Sequence, residues 1–430
     1  MARKTENKKS ADNYPLVAVD IGSSSIRVMA AREAENGKLQ ILGYQEDKTR
    51  VGSVEKGIVT QTSDIGATIK RLLLLLGNEI GLSSEETLDR AFVTVGGKLL
   101  QVKDVVVRRD LISRNYITDK LLEAMELECR TKIEARYPTM RVLSAVPYRY
   151  VLDGIEQDDA PATMQKAKKL DVIYNVFVGV REAEEKTEGS FARANKAIEE
   201  VWTRPEALAA ALVTEDDEWD GCGIIDFGAQ TTTLTICKSG RYLFNRVNPL
   251  GGQNITNDIK ALKISAANAE LLKTKYGQAA TKYVTKTVNF SLRSTDNTDE
   301  RVLLNTNELA RIIQLRLYEI VAPLMNDLKQ YEQDIKKVYI TGNGTELQDL
   351  LPYLQEQTTL PIEFGSHDTW LVKETDEEYS APKYSMLIGT LALAMDFRHN
   401  HKEGEVKKLS PIENVTSRLI KIFTPEDFEN

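Results

Sequence analysis

Twice in this chain an apolar run reaches an aspartate, passes a glycine and a group of hydroxyl residues, and resumes as an apolar run. The two segments are Val17-Ala-Val-Asp-Ile-Gly-Ser-Ser-Ser-Ile26 and Gly223-Ile-Ile-Asp-Phe-Gly-Ala-Gln-Thr-Thr-Thr-Leu234. Continuous apolar runs broken by a glycine predict buried strands joined by a tight turn, because glycine tolerates backbone conformations that a side chain forbids. A third segment, Lys337-Val-Tyr-Ile-Thr-Gly-Asn-Gly-Thr-Glu346, predicts a strand, a glycine-rich turn and a helix start.

Between these signals the period changes several times. Ile65, Ile69, Leu72, Leu73 and Leu76 recur at helical spacing after Ser63-Asp64, a predicted cap, so the leucine run reads as core. Strands are predicted at Ala91–Val95, Val102–Val107, Arg141–Val146 and Leu170–Val178, with a helix at Asp119–Ala135, which together read as an inserted α/β unit. Arg181–Ala211 reads as helical, as does Asn254–Leu262. Residues 265–334 read as mainly helical with a β-prone stretch at Tyr283–Leu292, and Pro382–Ala394 as a final apolar helix.

At 430 residues the chain is too long for one core and is expected to divide into several. Its 42% hydrophobic and 28% charged content is that of a globular protein, and a formal charge of -8 argues against nucleic acid as a partner. Residues 1–13 are polar and lack the apolar centre of a secretion signal, and no run approaches the ~18 apolar residues of a spanning helix, so a cytoplasmic chain is expected. Three scattered cysteines, Cys129, Cys222 and Cys237, and three histidines form neither a disulfide framework nor a zinc cluster.

An Asp-x-Gly turn by itself is commonly only a hairpin. Two of them facing across a cleft can hold a polyphosphate from both sides, with N–H groups and hydroxyls on the oxygens and carboxylates on hydrated Mg²⁺. The third turn adds N–H groups at a helix start, where base, ribose or phosphate can lie.

The order of the three turns resembles the actin/Hsp70/sugar-kinase ATPases. Pro249-Leu-Gly-Gly-Gln-Asn-Ile-Thr-Asn-Asp-Ile259, then Ala269-Glu-Leu-Leu-Lys-Thr-Lys-Tyr-Gly277, together with Thr94-Val-Gly-Gly-Lys98, Pro147–Gly154 and the C-terminal segment, resemble the FtsA family of bacterial division proteins. The resemblance implies an α/β, duplicated actin-like (ribonuclease H-like) fold with an inserted SHS2-type subdomain. It implies boundaries at 14–88 with 380–397, 89–175 for the insert, 176–264 with 335–379, and 265–334, after a tail at 1–13 and before a linker at 398–413.

The resemblance also implies ATP and Mg²⁺ as cofactors. Asp20 would orient the metal through water, with Gly22, Ser23, Ser24 and Ser25 around the β and γ phosphates and Asp226 opposite. Gly228, Thr231 and Thr232 would form the second phosphate turn. Gly251 and Gly252 would approach the nucleotide, Glu270 and Lys273 would hold ribose or adenine, and Gly342, Asn343 and Gly344 would line the base. The second turn departs from the family's Gly-Gly-Gly-Thr-Thr-Asp, reading Gly228-Ala-Gln-Thr-Thr-Thr233. A side chain at Gln230 and the missing carboxylate at Thr233 argue for slow ATP hydrolysis at most; Gln230 alternatively positions a water.

At the other end, Val415, Leu419, Ile422 and Phe423 share one face of a predicted helix at 414–424, flanked by Arg418 and Lys421. A basic amphipathic helix on a linker can lie in a lipid interface, although so short a stripe also packs on its own protein. The resemblance favours lipid. It implies self-assembly into filaments on the cytoplasmic face of the membrane at the division site, tethering of the FtsZ C-terminal peptide, and recruitment of later division proteins through 89–175. A pilus-assembly adaptor and a small-molecule kinase of the same superfamily are the alternatives.

Overall fold

The first apolar run forms β1 (Leu16–Ile21), buried along its whole length, and turns back antiparallel into β2 (Ser25–Glu33) and then β3 (Leu39–Lys48). This computed structural model describes residues 14–83, 87–157, 165–296 and 299–401. The expectations for residues 1–13, for most of the 398–413 linker and for Val415, Arg418, Leu419, Lys421, Ile422 and Phe423 concern positions outside the described residues.

A small hairpin of β4 (Val54–Glu55) and β5 (Ile58–Val59) precedes α1 (Thr62–Glu79). Ile65, Ile69, Leu72, Leu73 and Leu76 are buried, as their spacing requires. The predicted cap is corrected: Gln61 occupies the N-cap position, and Asp64 sits in the first turn, accepting from the Ser53 hydroxyl and pairing with Arg50. There it still complements the positive end of the helix.

β6 (Arg90–Val95) joins β1 in parallel, and the chain then leaves this sheet. It builds a second, antiparallel sheet of order β7-β10-β8-β9 from β7 (Gln101–Tyr116), β8 (Met140–Leu152), β9 (Ile155–Gln157) and β10 (Lys166–Val180). α2 (Asp119–Arg136) covers it, burying Met125, Cys129 and Ile133. After α3 (Arg181–Ala194) the chain returns to the first sheet as β11 (Ala197–Thr203), parallel to β6. The helical reading of Arg181–Ala211 is therefore corrected. Asn195, in the left-handed region at φ 55°, ends α3, and the hydrogen bonds of β11 come from a strand a hundred residues earlier in the chain.

The second half repeats the first. After α4 (Arg204–Leu212) and α5 (Glu215–Asp220), β12 (Cys222–Phe227), β13 (Thr232–Lys238) and β14 (Arg241–Asn248) form an antiparallel meander. Next come α6 (Gly252–Lys260), α7 (Ala266–Tyr276), a hairpin of β15 (Asn289–Arg293) and β16 (Arg301–Asn305), and α8 (Thr306–Leu328). β17 (Lys337–Thr341), α9 (Leu350–Gln355) and β18 (Ile362–Phe364) follow, and α10 (Ser385–His401) ends the described chain.

The two five-stranded sheets, β3-β2-β1-β6-β11 and β14-β13-β12-β17-β18, have one topology: a meander followed by two parallel strands. Between them lie α4, buried from Pro205 to Leu212, and the apolar α10, in one shared core. Gly389 allows their close approach, because a Cβ there would fall 1.8 Å from the Ala207 carbonyl oxygen. The inserted sheet docks on the second half. Asn175 accepts from the Tyr242 N–H at 2.5 Å, Asn245 donates to the Leu100 carbonyl at 3.0 Å, and the Phe177 and Tyr242 rings meet edge to face at 4.8 Å.

Candidate functional site

The β1–β2 and β12–β13 turns close in the same way. The N–H of Gly22 donates to the Ser25 carbonyl and that of Gly228 to the Thr231 carbonyl, both at 2.9 Å. A Cβ at Gly22 or Gly228 would lie 2.8 or 2.9 Å from that same oxygen, so any side chain would open the turn. The two turns face one cavity of about 640 Å³, a size suited to a small organic ligand. Gly22, Ser23, Ser24, Ser25, Gly228, Gln230 and Thr231 all line it, as do Asp20 and Asp226 at the ends of the central strands.

The third turn reaches the same cavity. Gly342 has φ 91°, and a Cβ on it would meet the Asp226 carboxylate at 2.6 Å; one on Gly344 would meet the Phe227 ring at 2.5 Å. Both positions therefore admit only glycine, which brings the β17 turn against the β12 turn. Asn343, between them, accepts from Arg27 at 2.9 Å.

Glu270 and Lys273 line the cavity from α7 as an i,i+3 pair at 2.9 Å, and Lys273 also donates to the Thr256 hydroxyl at 2.9 Å and the Gly252 carbonyl at 3.3 Å. Two expected positions stand elsewhere. The Thr232 hydroxyl donates to the Leu250 carbonyl at 2.9 Å and is buried away from the cavity, which Thr233 lines instead. Gly251 packs beneath the second turn, where a Cβ would meet the Gly228 and Ala229 oxygens at 2.5 and 2.7 Å; Gly252 alone of the two lines the cavity. The N–H groups of Gly252 and Gln253 donate to those same carbonyls, so this segment holds the turn in shape.

The sequence reading did not find the two arginines on the floor. Arg27 stands directly across the hairpin from Asp20 and donates to it through Nε and Nη2. A charged residue inside the apolar run Ile26-Arg-Val-Met29, at the register position opposite an aspartate, was the available signal. Arg204, the first residue of α4, donates to Asp20 Oδ1 at 2.6 Å and to Asp226 Oδ2 at 3.3 Å, so one guanidinium bridges the carboxylates of the two hairpins.

Burial of Asp20, which is 1% exposed, would raise its carboxyl, but Arg204 and Arg27 outweigh it and hold the group down at about 2. The same contacts raise both guanidiniums further against the opposing effect of their burial. Arg204 is itself braced. Its stem crosses Gly96, where a Cβ would lie 2.6 Å from its Cδ. Two residues on, buried Glu206 accepts from the Thr203 N–H at 2.8 Å, the Thr203 hydroxyl at 2.7 Å and the Ser144 hydroxyl of the inserted sheet.

Two family models match the chain: the type IV pilus assembly protein PilM over residues 18–289 and the cell division protein FtsA over residues 223–389. FtsA of Streptococcus pneumoniae is 27% identical over 74% of this chain and 66% of its own length. FtsA of Pseudomonas aeruginosa is 24% identical over 87% and 88%, and FtsA of Borreliella burgdorferi 22% over 95% and 96%. The chain is a member of the FtsA/PilM family of actin-like ATPases. These curated relatives put it on the FtsA side.

Solved structures agree on the fold. A type IV pilus biogenesis complex of PilM and PilN matches with a TM-score of 0.62 at 16% identity, covering 88% of this chain and 98% of that one. MreB5 of Spiroplasma citri, bound to ADP, matches at 0.52 and 12%, covering 91% and 100%. The two repeated sheets of this FtsA-family chain are thus the halves of a duplicated actin-like fold, and the cavity lies where their equivalent hairpins meet.

Proposed function

We propose that this FtsA-family chain is an actin-like cell division protein that binds an adenine nucleotide between its two halves, assembles with copies of itself on the cytoplasmic face of the membrane, and anchors the FtsZ polymer there. The observation that carries the reading is the convergence on one cavity of two hairpin turns of identical closure with the glycine turn at 342–344. The residues suit a nucleotide. Glycines at 22, 228, 342 and 344 let the three turns close tightly beside the cavity, where their backbone can face phosphate, and Lys48 and Lys260 add positive charge to the wall.

In this reading the Gly22–Ser25 and Gly228–Thr231 turns hold the phosphates from either side, Gly342–Gly344 lines the base, and Glu270 with Lys273 holds the ribose or adenine. Both carboxylate oxygens of Asp20 already accept from arginines, so a Mg²⁺ ion could reach Asp20 directly only by breaking an ion pair, and would otherwise be oriented by it through water. Function lies in binding and assembly more than in turnover. The unit at 89–175, an SHS2-type subdomain by resemblance, would be the contact for later division proteins, and the helix at 414–424 would bind lipid. Among the described residues no helix is long and apolar enough to cross a membrane. The longer match to the PilM model favours a second reading, an adaptor for pilus assembly.

The test is sedimentation with anionic vesicles of the full chain and a version ending at Asn414, each with and without ATP, and with FtsZ polymer added. The expected result is vesicle binding that needs both ATP and the tail and carries FtsZ down. Binding without FtsZ would favour the pilus adaptor, and indifference to both ATP and the tail would leave a kinase of the same fold.

A further inference from the structure

All four carboxylates that line the cavity are in ion pairs: Asp20 with Arg27 and Arg204, Asp226 with Arg204, Glu270 with Lys273, and Glu346 with Lys383. The described residues contain no group of three or more Asp, Glu, His or Cys placed to hold a metal ion. A guanidinium thus sits between the two hairpin carboxylates, where a divalent cation would balance their charge against an incoming polyphosphate. We propose that Arg204 takes the place of that cation, so that this site binds a nucleoside triphosphate without needing a divalent metal.

The proposal rests on the nucleotide reading above and concerns how that site is neutralised. Two aspartates facing each other across a cleft repel both one another and a phosphate chain. With Arg27 and Arg204 in place their charge is cancelled, and Lys48 and Lys260 on the cavity wall add positive charge that attracts the ligand. Arg204 also has the shape for the task. Its planar fork spans the two carboxylates with one N–H each, and a guanidinium has five, so donors remain for phosphate oxygens. A metal at the same place would have to displace a side chain held by Gly96 under its stem and by the Thr203–Glu206–Ser144 hydrogen bonds at the start of α4.

Titration of the full chain with a fluorescent ATP analogue, in excess Mg²⁺ and again in excess EDTA, tests this directly. The wild type is expected to bind within about threefold equally in the two buffers, while Arg204→Gln weakens by about tenfold or more in EDTA and recovers with Mg²⁺. A wild type that loses about tenfold or more in EDTA overturns the proposal, and this comparison needs no variant to fold. If Arg204→Gln, folded by its melting transition, is as indifferent to metal as the wild type, Arg204 is not the substitute. Arg204→Lys, which keeps the charge, is expected to stay independent of metal; metal dependence in that variant would overturn the role of the charge. Absence of binding in both buffers removes the nucleotide reading itself, a failure separate from metal dependence.

Discussion

The side-chain oxygen of Gln230 accepts a hydrogen bond at 2.8 Å from the backbone N–H of Lys56, joining the β12–β13 turn of the second half to the β4–β5 turn of the first. Lys56 adopts φ 50°, uncommon for a residue with a side chain, and its carbonyl accepts from Lys98 at 3.1 Å. Gln230, which lines the cavity, thus ties the two halves together at a position where the family it resembles carries glycine. A glycine could not make this link.

Replacing Gln230 by alanine removes one exposed, neutral hydrogen bond, worth about 1 kcal/mol, so stability should hardly change. Release of a bound fluorescent ATP analogue, followed by stopped-flow chase, should accelerate by about two- to tenfold, since that bond must break for the halves to part. Unchanged release would end the idea of a latch. ATP turnover by the same variant distinguishes the alternative, because a residue that positions water would take turnover down with it.

The two arginines also make a prediction about acid. The Asp20 carboxyl lies at about 2 in the folded chain, below its ordinary value of 3.8, so its contribution is present above about pH 4 and is lost as pH falls through 2. Asp20→Asn lacks that contribution and leaves two guanidiniums short of a counter-charge. The difference in unfolding free energy between wild type and Asp20→Asn should shrink by about 2 kcal/mol from pH 4 to pH 2. A difference that stays constant across that range would mean the Asp20 ion pairs contribute nothing to stability.

Gly389 should tolerate no side chain. With the Ala207 oxygen 1.8 Å from where a Cβ would be, Gly389→Ala must push α10 from α4, at a cost of about 3 kcal/mol, the upper range for overpacking. Chemical denaturation measures it. Because α4 begins with Arg204, the variant should also weaken nucleotide binding; a loss below about 0.5 kcal/mol would show that the two helices can slide apart freely.

Much of this was legible along the chain. The strands β1 and β12 are continuous apolar runs because central strands are buried on both faces, and their Asp-x-Gly turns are local chemistry that no later contact had to create. The leucines of α1 fall at helical spacing for the same local reason. β11 escaped notice because its sequence, Ala-Ile-Glu-Glu-Val-Trp-Thr, has no strong alternation of its own and becomes a strand by pairing with β6. Position in a motif points Thr232 and Gly251 at the ligand, yet which way each faces is decided by neighbours, Leu250 for the one and the Gly228 and Ala229 carbonyls for the other.

The order of apolar runs, glycines and hydroxyls by itself determined that this chain folds as two equivalent halves with three glycine turns, because backbone geometry and burial act over a few residues at a time. Only the tertiary structure decided what stands on the floor of the cavity. Arg204 comes from the start of a helix, Asp20 lies 184 positions before it and Asp226 22 positions after. Their meeting depends on α4 being clamped between two sheets, a long-range packing that no local pattern records.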